Sequence, residues 1–243
     1  MKKIKYLSAV LLLFGLCYHV DAQEMEWTTQ QDKMVTIASF TAKGNLEKLK
    51  IELYEGLNHG LTVNEIKEMI VHTYAYCGFP RAIRGLQTLM IVLDERKEKG
   101  IIDEWGREAS SINDKRDKYE RGKDILAELT GVKVIGRPQE GYAAFAPEIE
   151  TFLKEHLFAD IFERDVLTYA QREIVTTSVI ASIGGAEPML YSHLNLSLNT
   201  GITPQQLQQL ILTIKDEVSE EDGVKAQSVL LEVIKNRKLI NLH

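Results

Sequence analysis

The sequence predicts an all-α protein, an orthogonal helical bundle built from two similar halves. Three observations carry that expectation: two segments separated by 140 or 141 positions resemble each other, each starts two helices with the same capping chemistry, and the apolar residues between those starts recur at helical spacing.

Residues 1–22 read as an export signal. Lys2, Lys3 and Lys5 form a basic start, Leu7 to Val20 is a short apolar run, and Val20-Asp21-Ala22 places small residues around a cleavage site near Ala22-Gln23. The run falls short of the roughly 20 residues of a spanning helix. The expected location is therefore periplasmic or secreted. Loss of these residues removes three lysines and one aspartate and moves the formal charge from −6 to −8, which argues against nucleic acid or an anionic membrane as partner. It also removes Cys17 and leaves Cys77 as the lone thiol, so no internal disulfide is available and the fold must rest on its packed core.

The first half spans residues 23–95. "WTTQQDKMVTIAS" (Trp27 to Ser39) pairs with "LTYAQREIVTTSV" (Leu167 to Val179), and "LNHGLTVNEI" (Leu57 to Ile66) pairs with "LNTGITPQQL" (Leu198 to Leu207). Thr28 with Gln31, Thr62 with Glu65, Thr168 with Gln171 and Thr203 with Gln206 have the spacing of capping boxes, in which hydroxyl and carboxyl or amide satisfy free amides at a helix start. Apolar stripes follow: Ile66, Ile70, Thr73 and Cys77 in the first half, Leu207, Leu210, Ile211 and Ile214 in the second. Gly78-Phe79-Pro80 should end one helix and begin the next, because proline restricts its predecessor and then suits the first helical turn.

Residues 96–165 form a connecting segment. It opens with a charged stretch to Arg121, with Gly100 as a helix stop. "YERGKDILAELTG" (Tyr119 to Gly131) reads as a helix, "GRPQEGYAAFAP" (Gly136 to Pro147) as an irregular connection, and "EIETFLKEHLFADIF" (Glu148 to Phe162) as an amphipathic helix leading into the second half, residues 166–243.

The stretches "LNHGLTVNEIKEMIVHTYAYCGFPRAIRGLQTL" and "LTYAQREIVTTSVIASIGGAEPMLYSHLNLSLNTGITPQQLQQLI" resemble the carboxymuconolactone decarboxylase family, which includes the alkylhydroperoxidase D-like proteins. The resemblance implies two fused family repeats, a homo-oligomer, no cofactor or metal, and a small-molecule substrate. The family's arginine-glutamate pair falls on Arg172-Glu173, and the histidine of its "H-x-x-x-x-L-N-x-G" stretch on His193. Where the peroxidase branch carries Cys-x-x-Cys, this chain reads Ala186-Glu187-Pro188-Met189, and the first half reads Asn45-Leu46-Glu47-Lys48. Dithiol peroxide reduction needs an attacking and a resolving thiol, so the peroxiredoxin activity of relatives has no residues here to support it.

The decarboxylase branch also has a "Y-C-G-x-P" step, matched by Tyr76 to Pro80. The implied reading is a cofactor-free lyase acting on a small carbonyl or lactone acid. His193 would be the acid/base and Glu173 its orienter, with His72, Tyr76 and Cys77 contacting substrate. Opposite Glu173 and His193 the first half carries Lys33 and Glu52, and opposite Tyr76-Cys77-Gly78 the second carries Glu217-Val218-Ser219. Each half keeps one part of a site, and the parts would meet only if the halves pack as a pseudo-dimer. Two other functions compete: peroxidase chemistry through Cys77 alone, and a non-catalytic assembly or ligand-binding role. Arg172 and Glu173 could equally be surface charges matched to a helix dipole. No His or Cys spacing suggests a metal set, and no glycine-rich phosphate loop appears.

Overall fold

The computed structural model describes residues 26–132 and 138–240, and among these every regular element is helical. The leader reading for residues 1–22 and its cleavage site lie outside the described residues.

Helices α1 (Thr29–Lys43), α2 (Leu46–Asn58) and α3 (Val63–Glu98) come first, and α7 (Tyr169–Ile183), α8 (Glu187–Asn199), α9 (Pro204–Thr213) and α10 (Glu220–Ile240) come last. Between them stand α4 (Lys118–Thr130), the short α5 (Gly141–Phe145) and α6 (Pro147–Phe152), whose path continues in π-helical form over Leu153–Phe162. A second π-helical stretch, Ile214–Val218, extends α9.

All four anticipated capping boxes are present: Thr28, Thr62, Thr168 and Thr203 each accept from the amide three residues on, and the side chain there returns a bond to the cap amide. Each satisfies donors that a helix start otherwise leaves free. The corner at Gly78 is also where expected. Its φ of 80° and ψ of 161° interrupt α3, and only glycine adopts that conformation without strain.

The connection from Gly136 is more regular than anticipated. Residues 133–137 are not described, but α5 and α6 follow almost at once, with Pro147 at the first turn of α6 where its missing N–H costs nothing. The charged stretch after Gly100 folds back on the start of α3, where the Val63 and Asn64 amides donate to the carbonyls of Glu104 and Trp105 (both 2.9 Å).

α1 and α7 pack against each other at the centre, buried without interruption over Met34–Ala42 and Arg172–Ser182. Helices enclosed on all sides lose the amphipathic pattern of a surface helix. Several of their hydroxyls bond inside the core: Thr41 donates to the Ile37 carbonyl, Ser178 to that of Ile174, and Ser39 to that of Ser178 on the facing helix. One apolar core runs through α1–α3 and α7–α10. A second, with Ile125, Leu129, Leu157, Phe158, Ile161 and Phe162, joins α4 to the π-helical segment, and Tyr74 and Tyr76 pack against both.

Candidate acid/base site

The site forms where α3, α7 and α8 converge. Glu173 is fully buried on α7, and its Oε2 accepts from Nδ1 of His193 on α8 at 2.9 Å. The chain reversal at Gly184-Gly185, both at positive φ, brings the two together. With Nδ1–H committed to the carboxylate, Nε2 is the ring nitrogen left to meet a ligand. His193 is only 13% exposed, so the pair acts in a largely water-excluded setting.

Tyr76, from the other half of the chain, meets His193 edge to face with ring centroids 5.7 Å apart. Its hydroxyl is buried near that of Thr176 and has no hydrogen-bond partner among the described residues. Burial, and then the Glu173 charge, push the phenol far above its ordinary range, so Tyr76 stays protonated.

His72 lies one turn before Tyr76 on α3 and is fully buried. Its Nε2 stands 2.8 Å from the Thr176 hydroxyl, and its Nδ1 faces the Arg172 guanidinium at 3.2 Å. Arginine only donates, so Nδ1 accepts and Nε2 carries the proton. Burial, and then the Arg172 charge, drive His72 well below its ordinary pKa and keep it neutral. Both ring nitrogens of His72, expected from the sequence to contact substrate, thus face protein groups.

Behind His72 stands a charged network that the sequence reading missed. Arg172 is wholly buried; it donates to Glu68 at 2.9 Å and to the Arg164 carbonyl at 2.6 Å, and its guanidinium lies over the Phe162 ring. Arg164 also binds Glu68, with its closest contact at 2.8 Å. Burial works against the Glu68 carboxylate, yet the two arginines hold it below its ordinary pKa. Glu68, His72 and Tyr76 lie four apart, and that i, i+4, i+8 row of polar residues inside an apolar helix was the available signal. Arg172 and Glu173 are therefore interior groups rather than surface charges matched to a dipole.

Cys77 is half-buried, its thiol donates to the Thr73 carbonyl at 3.2 Å, and burial pushes its pKa up. In the first half, Lys33 and Glu52 form an ion pair at 2.9 Å between α1 and α2, to which the Thr36 hydroxyl donates at 2.8 Å. Two open clefts lie away from His193. One, of about 500 Å³, is lined by Lys215 to Glu220, and the other, of about 360 Å³, by residues between Pro138 and Glu150. Among the described residues no three His, Cys, Asp or Glu side chains are grouped to hold a metal ion.

No family model matches the chain. The chain is similar to the 4-carboxymuconolactone decarboxylase of Acinetobacter baylyi, 29% identical over 101 residues, which cover 42% of this chain and 74% of that protein. This similarity supports the carboxymuconolactone decarboxylase family.

Proposed function

We propose that this protein is a cofactor-free acid/base enzyme of the decarboxylase-like kind, acting on a small carbonyl or lactone acid. The observation that carries the reading is the buried Glu173 bound to His193, with Tyr76 from the distant half of the chain closing on the same imidazole. His193 Nε2 is the base, and Glu173 fixes its tautomer and stabilises the imidazolium that forms when it accepts a proton. His193 Nε2 takes up the acid proton of the substrate; loss of the resulting carboxylate as carbon dioxide leaves its electron pair on an enolate oxygen, and return of the proton from His193 to carbon completes the turnover.

The proposal includes descent of the two halves from one repeat. Supporting it, Lys33 and Glu52 pair between α1 and α2 as Glu173 and His193 pair between α7 and α8, and the capping boxes recur in the same order. Export rests on residues 1–22. Self-association rests on the family likeness and on exposed Phe79, Ile83 and Met90 along α3.

The test is carbon dioxide release from a panel of carboxymuconolactone-type acids. Turnover that falls by about 10²-fold or more in His193→Ala supports the reading; equal turnover by that variant removes it. A non-catalytic, ligand-binding role is favoured by one observation, the placement of both open clefts away from His193. Ligand retention by the clefts with no turnover of any acid would select it. Peroxidase chemistry finds little support, since burial disfavours the Cys77 thiolate and the sequence holds no Cys-x-x-Cys pair.

A further inference from the structure

We propose that Tyr76 is a committed hydrogen-bond donor to a ligand oxyanion, and that Glu68, Arg172, His72 and Thr176 form a one-directional chain that aims its proton. The inference rests on the reading above and names the group that would hold the developing negative charge.

The direction follows from donor and acceptor counts. Arg172 carries donors only, so the 3.2 Å contact obliges His72 Nδ1 to accept. His72 must then donate from Nε2 to the Thr176 hydroxyl, 2.8 Å away. With one lone pair so occupied, Thr176 keeps a proton to offer, and in the proposed chain its neighbour Tyr76 serves it as acceptor and gives its own proton elsewhere. Its phenol edges His193, and the hydroxyl is buried without a hydrogen bond among the described residues. Glu68 anchors the far end by holding Arg172 in place at 2.9 Å.

The second buried oxygen without a partner in this region is Glu173 Oε1, an acceptor. A ligand that satisfies both atoms presents an acceptor oxygen to Tyr76 and an O–H or N–H to Glu173. An enolate carrying a neighbouring hydroxyl or acid proton has that pattern, whereas a second ionised carboxylate beside Glu173 would be repelled. In the reacting step, the bond between the carboxylate and the carbon next to a carbonyl breaks, carbon dioxide leaves, the electron pair moves to the carbonyl oxygen, and His193 then returns its proton to that carbon. Tyr76 stabilises that oxygen and keeps its own proton. Tyr76 thus touches the reacting group, while His72, Thr176, Arg172 and Glu68 are positioning residues.

Two measurements test this without a known substrate. Nitrogen NMR of the histidine rings in the whole protein should show His72 as the neutral Nε2–H tautomer at neutral pH. A His72 ring carrying its proton on Nδ1 would overturn the chain. The second uses 4-nitrophenolate, whose oxygen mimics an enolate and whose absorption band moves when it accepts a hydrogen bond. Wild type should bind it with a shifted band, and Tyr76→Phe should bind it about tenfold or more weakly, the loss expected for a hydrogen bond to a charged oxygen. Thr176→Ser, which keeps the hydroxyl, should retain binding, and Thr176→Val should weaken it. Equal binding by Tyr76→Phe, or no binding by wild type at millimolar phenolate, would overturn the proposal. Failure of the acid panel with these results intact would remove the decarboxylase reading alone.

Discussion

Replacing Glu68 by glutamine tests the charge network in isolation from any substrate. The Glu68 side chain is 2% exposed and holds two arginines, of which Arg172 is 0% exposed and Arg164 is 38% exposed. Glutamine preserves the volume and one acceptor oxygen but removes the charge. Arg164 can recover water. Arg172 cannot, and it remains a buried cation facing a neutral histidine. Breaking a buried pair in this way costs about 3 to 5 kcal/mol. For a chain of this size, each kcal/mol lowers Tm by about 2 to 4 °C, so a fall on the order of 10 °C is expected. Urea unfolding with parallel calorimetry measures both quantities. The double variant Glu68→Leu with Arg172→Met should be less destabilised than the sum of its single changes, because neither charge is then stranded. A Glu68→Gln protein within about 0.5 kcal/mol of wild type, the range of an ordinary surface change, would refute the argument.

Three further outcomes follow from the same geometry. Because His72 is neutral when folded, the unfolded chain binds the extra proton below pH about 6.5; stability from this group is complete above that pH and declines as pH falls, by up to about 1.4 kcal/mol per unit. Urea midpoints between pH 7 and pH 5 should show that slope, and His72→Gln should flatten it. Cys77 should react with a thiol reagent at least about tenfold more slowly in the native protein than in denaturant, since burial raises its pKa; equal rates would show an accessible thiol. Gly122→Ala should cost about 1 to 3 kcal/mol in urea unfolding, because a methyl group there would lie 1.8 Å from the Lys154 carbonyl and force α4 off the π-helical segment.

Local signals in the sequence were strong wherever the physics was local. The four capping boxes and the Gly78 corner depend on residues within a turn of one another, and each stands where the spacing placed it. The pairing of Glu173 with His193 was legible only through family likeness, because a separation of 20 positions says nothing about the angle of the reversal. Arg172 looked like a helix-start charge because composition does not reveal that α7 is enclosed on every side. Glu68 and Arg164 went unrecognised for a related reason, since their partnership spans 96 positions.

The sequence by itself determined the helical class, the helix starts and the absence of a Cys-x-x-Cys motif, because capping, periodicity and closely spaced thiols are properties of short stretches of chain. Tertiary structure alone decided that Tyr76 and His72 from one half stand against His193 and Thr176 from the other. Packing α1 on α7 and folding α3 against α7 brings those groups within reach, and burial then sets which of them keep their protons.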